Sequence, residues 1–60
     1  MKAVHQRKNE TLEQARTRAE NMATTLSTQV LLVARVRVGW THMARVCGSF
    51  AADGTYTDWS

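Results

Sequence analysis

Apolar residues recur at Leu12, Ala15, Ala19, Met22, Ala23 and Leu26, while Glu13, Arg16, Thr17, Glu20 and Thr24 fall between them. Steps of three and four lay these apolar groups along one stripe of an α-helix. Its start is marked by Thr11-Leu12-Glu13-Gln14. This is a capping box, in which the Thr11 hydroxyl accepts from the Gln14 amide and the Gln14 side chain reaches back to Thr11. Beyond Thr24 the period changes. Val30, Leu32, Ala34, Val36 and Val38 alternate with Arg35 and Arg37 toward the far end, and the β-branched content favours a strand over Val30–Val38. One continuous helix through Val38 is the rival, because Leu26, Val30, Val33 and Arg37 also keep helical spacing.

Gly39 interrupts this run and offers the positive φ that a tight hairpin requires, so residues 40–46 are expected to return as a second strand. Arg35 and Arg37 then lie near His42 and Trp40 across the ladder. Ala51-Ala52-Asp53-Gly54 reads as a second turn, joining residues 43–50 to residues 55–59. The expected fold is α+β: one amphipathic helix packed on a small antiparallel three-stranded meander, in one domain spanning residues 1–60. Residues 1–9 add an edge strand through Ala3-Val4-His5 or form a basic flexible arm; the pattern leaves both open.

Length changes this picture, because a chain of 60 residues buries only about 60% of its unfolded surface and has a thin core. Small domains compensate with disulfides, a metal or oligomerisation. Cys47 is the sole cysteine, so no internal disulfide forms, and Cys47 with the distant His5 and His42 matches no zinc spacing. No metal or other cofactor is expected, and self-association is the remaining staple. No apolar run follows Lys2, Arg7 and Lys8, and the longest apolar stretch, residues 30–34, is far short of the roughly 20 residues of a membrane span. A cytoplasmic protein without membrane contact is expected.

All eight Lys and Arg residues lie within positions 1–45, whereas Asp53 and Asp58 stand near the end. The net charge of +3 biases the chain toward acidic surfaces or phosphate. One helix covers one face of a sheet and leaves the other open. Alternation puts Leu31, Val33, Arg35 and Arg37 on that open face, opposite Leu32, Ala34, Val36 and Val38, which are expected to meet the helix. Leu31, Val33, Arg35, Arg37 and Trp40 are therefore the candidate partner-binding surface, for a larger protein or protein complex or for a second copy in a homodimer. The bland alternative is that the N-terminal segment covers Leu31 and Val33 and the arginines are merely solvated. A nucleic-acid reading groups Arg35, Arg37 and Arg45 with Trp40, Tyr56 and Trp59 as stacking platforms. No RNP motif, GxxG loop or zinc knuckle accompanies that set.

Chemistry finds little support. Cys47 and His42 are five residues apart and on opposite strand faces under strict alternation, so Cys47 reads as a small hydrophobe. Asp53 reads as a turn residue, Asp58 is near a terminus, and Gly39, Gly48 and Gly54 form no phosphate-binding pattern. Arg16 and Arg18 sit on the helix, with Glu13 and Glu20 spaced to offset Arg16. A non-enzymatic binding protein is expected. The order of features, a basic start, a capped helix and a short meander, resembles that of small phage-encoded inhibitors, the anti-CRISPR proteins among them. That resemblance, which is one of architecture, implies an inhibitor that occupies a surface on a larger defence or host complex through shape and charge.

Overall fold

The computed structural model describes residues 1–59. The capping box forms: the Gln14 amide donates to Thr11 Oγ1 at 3.1 Å and the Thr11 amide to Gln14 Oε1 at 3.0 Å. Helix α1 (Leu12–Leu26) follows, and it stops where Ser27 turns left-handed at φ 50° and donates its amide to the Ala23 carbonyl. That turn removes the rival reading of one helix through Val38. Strand β2 (Val30–Val38) begins three residues later.

The sheet corrects the expected three-stranded antiparallel meander, because it has four strands and is mixed. Ala3-Val4-His5 do form an edge strand, β1 (Lys2–His5), which pairs parallel to β2 with Val4 opposite Leu32. A parallel neighbour needs a crossover, which α1 supplies. Strand β3 (Thr41–Phe50) returns antiparallel to β2, and β4 (Tyr56–Asp58) pairs antiparallel to β3, giving the order β1-β2-β3-β4. Gly39 carries φ 60° while Trp40 stays at negative φ, the pattern of a two-residue type II′ hairpin loop. Gly54 takes φ 92° in the second turn, where the Thr55 amide donates to Asp53 Oδ1 at 2.9 Å.

Helix α1 lies across β1 and β2 and barely reaches β3. Its buried positions are Ala15, Ala19 and Ala23, small enough for the helix backbone to approach Val4, Val30, Leu32 and Phe50 closely. Leu12 and Leu26, at the two ends of the stripe, overhang the sheet and are largely exposed. Val36 and Val38 keep the helix-side face but lie past the helix, so they do not meet it; Val38 is 51% exposed. Arg16 stays exposed, and its guanidinium stacks over the Tyr56 ring, 4.3 Å from the centroid.

A β-bulge separates the two halves of β3. Leu32 pairs with Gly48 but Val33 pairs with Val46, which leaves Cys47 as the extra residue. Gly48 and Phe50 consequently point to the helix side, whereas His42, Ala44 and Val46 point away from it.

Candidate functional site

Two of the pairings that hold the sheet end early. β1 covers β2 only as far as His5 opposite Val33, and β4 covers β3 only as far as Asp58 opposite Gly48. Residues 34–45 therefore project as a two-stranded ribbon whose strand pairing, among the described residues, is only within itself. The helix does not cover it either. Every residue from 35 to 45 is exposed, and Trp40 at the tip is 99% exposed.

The register gives this ribbon two unlike faces. On one, Arg35 pairs with Ala44 and Arg37 with His42; on the other, Val36 pairs with Met43, and Ala34 with Arg45 at the base. The first face is cationic. The second is largely apolar, with Met43 58% exposed beside Val36 and Val38. Charge is concentrated here as well, since residues 21–52 contain no Asp or Glu. The five cations outside the ribbon are matched in number by the five acids, so the net +3 of the chain is the charge of Arg35, Arg37 and Arg45.

The base of the ribbon is anchored by the loop after β1. Gln6 donates its amide to the Val33 carbonyl at 2.9 Å, and its side-chain Oε1 accepts from the Arg35 amide at 2.9 Å. Gln6 Nε2 donates to the Glu10 carbonyl at 2.8 Å. Glu10 in turn is gripped by Arg18, whose Nε and Nη2 donate to the two carboxylate oxygens at 3.1 and 2.8 Å, and Nη2 also donates to the His5 carbonyl. The Arg18 guanidinium, helped by the Arg7 amide, lowers the Glu10 pKa from 4.5 to about 2. Sequence spacing did not point to this network, because Gln6, Glu10 and Arg18 are brought together by the crossover.

The five residues expected to bind a partner are not one surface. Arg35, Arg37 and Trp40 lie on the ribbon, but Val33 is only 7% exposed and Leu31 is half-buried, both within the part of the sheet where β1 lies beside β2. Val33 is thus corrected from contact residue to core, whereas Val36 and Val38, expected to meet the helix, are exposed on the ribbon beside Met43, and His42 stands opposite Arg37 as expected. The nucleic-acid set is divided further. Tyr56, paired with Phe50, faces the helix side, where it donates to the Cys47 carbonyl at 3.3 Å and burial raises its pKa. Trp59 donates from Nε1 to Ser49 Oγ at 3.0 Å on the other face, and Trp40 stands alone at the tip. Arg45 lies on the opposite ribbon face from Arg35 and Arg37.

A concavity of about 600 Å³ runs between α1 and β3–β4 and is lined by Leu12, Arg16, Leu32, Cys47 and Tyr56. The Cys47 thiol donates weakly to the Leu32 carbonyl at 3.5 Å, and no group of three His, Cys, Asp or Glu side chains comes together among the described residues. No helix among them is long and apolar enough to cross a membrane. No protein-family model matches the chain, and neither a curated protein nor a solved structure matches it.

Proposed function

We propose that this chain is a non-enzymatic protein-binding module that docks its projecting ribbon on an acidic surface of a larger protein or complex. One observation carries the reading: the net charge of the molecule and its most exposed aromatic residue sit together on a projecting ribbon that, beyond the Gln6 contact at its base, no other described element covers. A fully exposed tryptophan beside exposed aliphatic groups is unfavourable in water and becomes favourable only when something buries it. Tryptophan and arginine are also the residues that most often dominate interface energetics. The likeness in feature order to small phage-encoded inhibitors favours an inhibitor over an adaptor.

Replacing both exposed cations, Arg35→Glu with Arg37→Glu, tests the reading. The double variant keeps its far-ultraviolet spectrum, since neither side chain packs in the core, and fails to capture the partner retained by the unmodified chain. Undiminished capture removes the ribbon from the interface.

A second reading, nucleic-acid binding, is favoured by the ribbon itself: a two-stranded β-ribbon without acids fits the width of a duplex major groove. Phosphate-driven binding weakens steeply and linearly on a logarithmic salt scale. Titrations of a duplex and of a single strand at two ionic strengths separate this reading from the first.

A further inference from the structure

The way β2 loses its neighbour at the base of the ribbon points to how a partner engages it. The Val33 carbonyl and the Arg35 amide both point toward β1, because Gln6 bonds to each of them. Backbone groups along a strand alternate in direction, so the Arg35 carbonyl and both backbone groups of Arg37 point to that same side. β1 ends at His5. The next acceptor along the edge is supplied by the Gln6 side chain in place of a strand, and beyond it the edge continues with no strand beside it among the described residues.

We propose that the partner contributes an extended segment that adds to this edge of β2 as a fifth strand, with acidic and apolar side chains in alternation. The proposal rests on the reading of the ribbon as a protein-docking element and specifies what it docks. The alternation follows from the two faces. An added strand has period two, so one set of its side chains lies on the face of Arg35, Arg37 and His42, and the other on the face of Val36 and Val38. Carboxylates suit the first set and β-branched groups the second.

Charge selects this edge over the other one. The outer edge of β3 also has no strand beside it along the ribbon among the described residues, but the residues there on the cationic face are His42 and Ala44. A second copy of this chain is a poor occupant. Its acids are Glu10, Glu13, Glu20, Asp53 and Asp58, no two of them two residues apart, and edge-to-edge pairing of two β2 strands brings four arginines together.

The test uses the isotope-labelled 60-residue chain and a blocked synthetic peptide in which glutamate and valine alternate. A control peptide has the same composition with all glutamates consecutive. Strand addition predicts saturable amide shifts at Arg35, Val36 and Arg37, exchange of the Arg37 amide slowed about tenfold or more, and binding of the control about tenfold weaker. Equal affinity for the two peptides, protection at His42 and Ala44 instead, or no binding overturns the proposal. So does tighter binding of an oligonucleotide at physiological salt, or doubling of the mass in light scattering with Arg37 protected before peptide is added. In the complex with the natural partner, an Arg37 amide that stays unprotected although the double Arg variant abolishes capture refutes strand addition and leaves ribbon docking standing.

Discussion

Gly48 is the position where one added carbon tests the packing most directly. It is buried in β3 opposite Leu32 and Asp58, and a Cβ there would stand 2.5 and 2.6 Å from Cζ and Cε1 of Tyr56, with the phenol oxygen also in collision. The ring cannot stay. It is held by Phe50, with centroids 4.9 Å apart, by Arg16 stacked over it, and by its hydrogen bond to the Cys47 carbonyl. Giving up the aromatic pair costs about 0.5–1.5 kcal/mol, and the cation–π contact and hydrogen bond about 0.5–1 kcal/mol each. Alanine regains about 0.5–1 kcal/mol over glycine in a strand. Gly48→Ala is therefore expected to destabilise by about 1–3 kcal/mol, the range of a core overpacking substitution. A chain of this size has only about 3–9 kcal/mol in total, so the midpoint of thermal unfolding should fall by about 4–8 °C for each kcal/mol lost. Urea denaturation followed by circular dichroism measures it. The decisive comparison is the same substitution after Tyr56→Ser, where the clash is absent and Gly48→Ala should become neutral or mildly stabilising. An equal loss in both backgrounds, or no loss with the tyrosine present, refutes the assignment of the cost to the ring.

Two further outcomes follow from the site. Trp40→Ala removes a side chain with no intramolecular burial, so stability should change by less than about 0.5 kcal/mol, while partner affinity measured by calorimetry falls about 30-fold if the indole is an anchor worth about 2 kcal/mol. The Glu10 carboxyl has a folded pKa near 2 against 4.5 unfolded. Its contribution is therefore fully present above pH 4.5 and is lost as pH falls toward 2. The stability difference between the unmodified chain and Glu10→Gln, read from urea midpoints, should shrink through that window, and a difference unchanged at the lowest pH contradicts the Arg18 grip.

The helix was legible because its signals are local: a capping box, an apolar stripe and a fixed period all lie within consecutive residues. The hairpin was legible for the same reason, through Gly39 and the alternation of valine with arginine. The parallel pairing of β1 was not, since four residues hold too little pattern to choose between strand and arm, and their partner lies beyond a helix. The bulge at Cys47 defeated strict alternation in β3, because one extra residue reverses the face of everything after it. The candidate site was half legible for a related reason. Arg35, Arg37 and Trp40 could be grouped from spacing, but how far the helix extends along the sheet decides which apolar residues are uncovered, and that depends on where helix and strands end in space. Val33 and Val36 thus exchange roles, the first buried beside β1 and the second exposed beyond it.

The segregation of charge also has a kinetic consequence. A body 37 Å long whose remainder is electrically balanced, with three guanidinium groups on one projection, behaves as a strong electric dipole. In the field of an anionic surface such a particle rotates before it touches, so that Trp40 leads. At physiological salt the field decays over about 8 Å, which confines this alignment to the last moments of approach. Added salt should then slow the encounter while leaving the lifetime of the finished complex nearly unchanged.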